Sequence, residues 1–158
     1  MKIRTAVQQD ARVLSTLCAD VQRLHAAHYP WLFKQPESDD FALDFFIQML
    51  AEPAVTAYLA EVEQDPAGYL LCELMERPEN DFTFALRALH VEHVGVRPAA
   101  QRRGIGAALM AQVENLAREL GVRRIQLESW SFNTGAHGFF ESLGYQKFNH
   151  RFWKDIQT

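Results

Sequence analysis

The stretch from Ala88 to Ser129 constrains the fold more than any other. Ala88–Val96 reads as a strand, stopped by Pro98. Helical spacing follows over residues 104–120, with Leu109, Val113, Leu116 and Leu120 on one stripe and Gly121 at its end. Arg124–Ser129 then reads as a further strand. Strand, helix and strand at this spacing form a crossover, which makes the two strands parallel. Upstream, Val55–Glu63 and Gly68–Glu76 read as a hairpin around the turn residues Gln64, Asp65, Pro66 and Ala67. Residues 2–6 form a short first strand and residues 10–26 have helical spacing. Pro30 and Pro36 break the chain, and a second helix runs from Asp39 to Ala51. Arg77–Asp81 is a polar connection. Ala136–Leu143 is a short helix ended by Gly144, and Tyr145–Phe148 with Arg151–Lys154 reads as a last hairpin. The expected class is mixed α/β (α+β): a mostly antiparallel central sheet with one parallel crossover, flanked by helices. No repeat or linker interrupts the pattern, so residues 1–158 read as a single domain.

The helix from Gly104 has an unusual start. Helix N-termini carry four unpaired N–H groups and a positive dipole end, so they favour short polar caps and acidic first turns. Here the entry is Gln101-Arg102-Arg103-Gly104-Ile105-Gly106-Ala107, and the first acidic residue inside is Glu114. Two arginines add positive charge where the dipole is already positive. Glycines at 104 and 106 remove side chains where a ligand could meet the backbone. This points to a phosphate or pyrophosphate site, with a solvated loop as the plain alternative. A phosphate-binding Gly-x-x-x-x-Gly-Lys-Ser/Thr loop is absent, and Leu109 stands where a dinucleotide fingerprint needs its third glycine.

Composition narrows the partners. The 158 residues carry a net charge of −4 with 48% apolar residues, which excludes a disordered chain. Without a basic bias, nucleic acid is not expected as a partner. The N-terminus shows no apolar leader core, and no apolar run approaches the ~20 residues of a membrane span. Only Cys18 and Cys72 are present, and both read as core filler. A cytoplasmic protein with no membrane partner is the expectation.

Three motifs in register then resemble one family. Gln101-Arg102-Arg103-Gly104-Ile105-Gly106-Ala107 is similar to the Gln/Arg-x-x-Gly-x-Gly/Ala motif of the GNAT superfamily, the acetyl-CoA-dependent N-acetyltransferases. Upstream, Val94-Gly95-Val96-Arg97-Pro98 resembles the family's strand end. Downstream, Asn133, Ala136, Phe139-Phe140 and Gly144-Tyr145 resemble its Asn-x-x-Ala-x-x-Phe-Tyr-x-x-x-Gly-Phe segment. The detailed match covers residues 90–148.

The resemblance implies acetyl-CoA as co-substrate, with its pyrophosphate on the backbone of Arg102, Arg103, Gly104, Ile105, Gly106 and Ala107, flanked by Gln101. It implies a pantetheine arm along Val94, Gly95 and Val96, and cofactor contacts at Asn133 and Phe140. For Asn133, a helix cap is an equal reading. Gly135 and Gly138, both inside one short helix, suggest close approach of either the cofactor arm or the sheet.

The implied reaction is direct attack of an amine on the thioester. An aliphatic ammonium must first lose a proton, which a carboxylate or imidazole can take. Glu92 is the first candidate base, since it holds a position where the resemblance implies a glutamate, and His90, on the same face of a regular strand, is the second. A strand N–H near Val94 is the implied oxyanion donor. His93 falls on the opposite face of a regular strand, although a bulge, which the resemblance implies for this strand, would re-aim one residue. Where the family often has a tyrosine acid, this chain has Phe140, which cannot donate a proton. Tyr145, His137, Ser142 and water are the alternatives.

No metal is expected, since His25 and His28 lack a third ligand. The aromatic segment His25–Phe33 reads either as a pocket wall or as packing under the second helix. Glu37, Asp39 and Asp40 either favour a cationic amine or form an acidic start to that helix. The leading expectation is an N-acetyltransferase acting on a primary amine of a small molecule or a protein. The alternatives are an acyl-CoA-binding regulatory module with weak or no catalysis, and an acyltransferase with a longer acyl donor. A homodimer is compatible with the sequence.

Overall fold

Residues 1–156 are described in a computed structural model, which resolves into two compact units, Met1–Glu128 and Ser129–Thr158. The first unit holds a five-stranded sheet in the order β1-β2-β3-β4-β5. The strands are β1 (Lys2–Thr5), β2 (Val55–Val62), β3 (Asp65–Arg77), β4 (Leu86–Val96) and β5 (Ile125–Leu127). The first four pair antiparallel, and β4 pairs parallel with β5, as the crossover requires. Three helices accompany the sheet: α1 (Ala11–His28), α2 (Leu43–Ala51) and α3 (Ile105–Glu119).

The side-chain period of two divides the sheet residues between two helical layers. Leu59, Tyr69 and Leu71 join Leu14, Leu17 and Cys18 of α1 and Phe46 of α2 in one core cluster. An added Cβ at Gly68 would meet Ile105, which places the alternate β3 positions against α3. Buried Ile105, Leu109, Met110 and Val113 form the α3 stripe. Leu120, expected on that stripe, is instead exposed as the helix C-cap.

The hairpin turn is tighter than expected. Val62 pairs with Asp65, and Glu63 and Gln64 both have positive φ, 53° and 74°, so the turn is a two-residue loop. Pro66 is absorbed at a bulge opposite Glu61, where a strand tolerates a residue without N–H. Helix α2 starts at Leu43 rather than Asp39, because Asp39 and Asp40 are held by α1. Arg23 donates to Asp39 at 3.1 Å, and Arg12 pairs with Asp40. The buried Ser15 hydroxyl donates to Asp39 O and accepts from Ala42 N, fixing the same link. An acidic helix start is therefore not what these carboxylates provide.

In the second unit, α4 (Thr134–Ser142) is capped by Asn133, whose side chain accepts from Ala136 N at 3.2 Å. Gly144, at φ 88°, follows the C-cap in the left-handed region. The expected last hairpin is not formed. Residues 145–156 carry no strand, and Phe148, Phe152 and Ile156 are strongly exposed. A hairpin that leaves those apolar side chains in solvent is marginal in water.

Candidate active site

A bulge in β4 organises the site. His93 lies opposite Leu71 and Val91 opposite Cys72, so Glu92 is the extra residue between them. The added residue shifts the side-chain alternation by one. His93 therefore shares the α1/α2 face with His90 instead of pointing away from it, which corrects the expectation for a regular strand. His90 Nε2 stands 3.5 Å from Glu92 Oε1, and Glu92 is exposed. His90 Nδ1 is buried and has no hydrogen-bond partner among the described residues. Orphaned buried polar atoms are uncommon in folded proteins and mark places where water or a ligand completes the structure.

His93 is set differently. Tyr69 OH lies 3.3 Å from His93 Nδ1, within hydrogen-bond reach. Burial pushes the imidazole down to about 4, so the ring is neutral at ordinary pH. The Cys18 sulfur sits 3.8 Å from the same Nδ1, and burial raises its thiol pKa. Cys18 is thus a protonated member of the core, as its place on the α1 stripe implies. Phe45 stacks on His93 at 5.5 Å between centroids, 23° from parallel.

Beyond this bulge the sheet opens. Pairing between β4 and β5 ends at Val91–Leu127. Arg97 N donates to Ala67 O, so Gly95 and Arg97 direct their backbone groups to β3. The alternate residues Val94 and Val96 direct theirs to the side that β5 leaves. Gln101 Nε2 donates to Val96 O at 3.1 Å, so its side chain ties the loop to the strand end. Gly95 has a packing reason for lacking a side chain. A Cβ there would stand 2.8 Å from both Tyr69 Cε1 and Val21 Cγ2.

The start of α3 is bare, as its sequence requires. Gly104 is the N-cap at φ 79°, no side chain caps the helix, and its first turn holds no acid. Arg102 has φ 63°, and Arg102 and Arg103 are exposed. A Cβ on Gly104 would meet nothing within 4 Å, so open space faces this turn. The amides of Ile105, Gly106 and Ala107 complete the first turn. An exposed, positively flanked helix start of this kind fits a phosphate group.

Asn133 has a structural task as the α4 cap. Phe140 is buried and packs edge-on to Tyr145 at 5.9 Å. The Ser142 hydroxyl donates to Phe139 O, and His137 Nε2 lies 3.1 Å from Trp130 O. A Cβ at Gly135 or Gly138 would meet open space, so neither glycine is explained by close packing. His28 Nδ1 lies 2.9 Å from Leu24 O, and His25 stacks on Phe33 at 5.0 Å. Among the described residues, no group of three or more metal-binding side chains is assembled. None of the described helices is long and apolar enough to cross a membrane.

Sequence reasoning missed the Tyr69–His93–Phe45 arrangement. The only signal for it was the adjacency of His90, Glu92 and His93 in a strand with a suspected bulge.

The family model for the acetyltransferase (GNAT) family matches residues 18–145. An uncharacterised N-acetyltransferase from the pepI 3′ region of Lactobacillus delbrueckii subsp. lactis is 27% identical over 100 residues, covering 63% of this chain and 57% of that protein. The chain spans a little over half the length of the curated relatives it matches. A mutant of the BH1408 protein of Bacillus halodurans superposes with a TM-score of 0.91 at 19% identity, over 99% of this chain and 100% of that one. AAC(6')-Iy in complex with the bisubstrate analogue CoA-S-monomethyl-acetylneamine superposes with a TM-score of 0.76 at 15% identity, over 99% and 98% of the two chains.

Proposed function

This chain belongs to the GNAT acetyltransferase family, and we propose from that premise that it transfers an acetyl group from acetyl-CoA to a primary amine, by direct attack within a ternary complex. The whole of residues 1–158 is read as one acyltransferase domain. The observation that carries the reading is the bulge at Glu92 beside the uncovered edge of β4.

Acetyl-CoA is the substrate for which the α3 start is suited. Its pyrophosphate would rest on the amides from Arg102 to Ala107, with the arginines adding charge, and its arm would pair with Val94 and Val96. The bare turn and the open space before Gly104 support this. The crystallised AAC(6')-Iy, a neighbour in fold, carries a CoA conjugate. Gln101 and Gly95 shape the loop and strand end. The roles of Asn133 and Phe140 toward the cofactor rest on motif position alone.

Glu92 takes the proton that the acceptor ammonium releases, directly or through water, with His90 beside it to share the charge. The amine nitrogen then bonds to the acetyl carbon. Val94 N–H stabilises the oxyanion. The carbon–sulfur bond breaks, the thiolate leaves, and the second proton lost by the nitrogen passes through water to that thiolate. A free thiol pKa near 8.5 makes that departure tolerable without a strong acid.

Glu92→Gln should lower kcat by about 10²-fold or more and remove the acid limb of its pH profile. CoA affinity should stay unchanged. Unchanged turnover and pH profile would remove Glu92 as the base. Phe140 favours a second reading, an acyl-CoA-binding regulatory module with weak or no catalysis. A CoA thioester that binds while no amine is acetylated would select it.

A further inference from the structure

The end of β4 away from Val96 carries a second surface, within the first unit, that acetyl transfer does not use. The chain passes from β3 to β4 through residues 78–85, and two cavities adjoin this loop. One, of about 530 Å³, is lined by Phe82 and Phe84 together with Arg77, Arg87, Arg123 and Arg124. The other, of about 400 Å³, shares Arg77 and Arg87 with it, so the two form one continuous groove.

The loop is fixed, yet its phenyl rings stand in water. Asn80 Oδ1 accepts from Phe82 N at 2.8 Å and from Thr83 N at 3.0 Å, and Asn80 N donates to Thr83 O at 3.0 Å. Phe82 is nevertheless 94% exposed and Phe84 87% exposed. A loop held in one shape with two large rings bare marks a surface that another molecule covers.

Charge indicates which molecule. Arg87 is engaged, since it donates to Glu76 at 2.7 Å and to Leu120 O. Arg77, Arg123 and Arg124 are exposed and form no ion pair among the described residues. Glu76 is the acid on the groove wall, and Arg87 neutralises it. The loop acids Glu79 and Asp81 line neither cavity. The groove therefore offers three unneutralised guanidinium groups beside two phenyl rings. The exposed apolar segment 148–156 of a second copy would bring Arg151 and Lys154 against them, with Asp155 as its acid. A nucleic acid strand carries a phosphate at every unit, but the second half of the groove adds Glu76 and Pro78 and no further cation.

We propose that this groove docks an acidic peptide segment of another protein, with its carboxylates on Arg77, Arg123 and Arg124 and an apolar side chain against Phe82 and Phe84. Guanidinium groups pair with carboxylates through two parallel hydrogen bonds, and arginine and aromatic side chains carry much of the energy of protein interfaces.

A short fluorescein-labelled peptide alternating glutamate and phenylalanine tests this by fluorescence anisotropy. It should bind, and less tightly as salt rises. Arg123→Glu with Arg124→Glu, and separately Phe82→Ser with Phe84→Ser, should each weaken binding by about tenfold or more. Both variants replace exposed side chains, and unchanged circular dichroism and Tm would show that they fold. Absence of binding, or binding that neither variant weakens, overturns the proposal. So does equal binding of the counterpart peptide alternating lysine and phenylalanine. Tighter binding of oligothymidylate would overturn it in favour of single-stranded nucleic acid. A dimer in sedimentation that Phe82→Ser with Phe84→Ser dissociates would overturn it in favour of a second copy.

Discussion

His93 joins the fold's stability to the composition of the site. Its ring sits among Tyr69, Phe45, Phe46 and Cys18, where a charged imidazole would lose its hydration. The folded pKa is therefore depressed from 6.5 to about 4. The unfolded chain takes up this proton first as pH falls, so the stability His93 contributes is complete above 6.5. It is lost progressively as pH falls through the folded value of about 4. Unfolding free energies measured in urea should decline across that window, and His93→Gln should flatten the decline. An unchanged slope would show that His93 is not the group responsible. Asp10 adds a separate dependence at lower pH. The Arg4 guanidinium grips its carboxylate through two hydrogen bonds, at 2.7 and 2.8 Å, and holds its pKa below the usual range. Its stabilisation is present above the unfolded carboxylate pKa and lost as pH falls through the depressed folded one.

Among the elements, β4 and α3 carry the candidate site for different reasons, and two glycines separate them. Gly95 lacks a side chain because Tyr69 and Val21 fill the space beside it. Gly95→Ala should destabilise the protein by about 1–3 kcal/mol through overpacking. Gly104 lacks one because of its backbone, at φ 79°, with open space around it. Gly104→Ala should cost about 1–2 kcal/mol of conformational strain without any clash. Denaturant unfolding reads both, and restoring volume separates them. Val21→Ala should recover part of the loss in the Gly95→Ala background and none in the Gly104→Ala background. The α3 start was legible in the sequence because capping is local. Every residue able to satisfy the first turn lies within a few positions of it. The bulge was legible only as a contingency, since it belongs to the register between β4 and a strand some twenty residues earlier.

For the whole molecule, a total charge of −4 conceals a local positive site at Arg102 and Arg103. CoA at a hundredfold excess over its Kd should stabilise the native state by about 2.7 kcal/mol, read as an upward shift in Tm. Arg102→Glu with Arg103→Glu should shrink that shift, most at low ionic strength. No shift with the unaltered protein would exclude the α3 start as a phosphate site. The carboxylates show the reverse behaviour. Asp39 and Asp40 look available in the sequence, but each is paired with an arginine 16 or 28 positions away.

By itself, the sequence determined the mixed sheet with its one parallel crossover, the bare start of α3, and the motifs that identify the family. Each depends on periodicity or on backbone needs met within a few residues. The tertiary structure decided the rest: His93 on the α1/α2 face, Gly95 against Tyr69, Asp39 and Asp40 of the α1–α2 link paired with arginines, and residues 145–156 without the expected strands. Those outcomes depend on strand register and on which distant side chains share a surface. Such long-range competition for burial and charge leaves no local pattern to read.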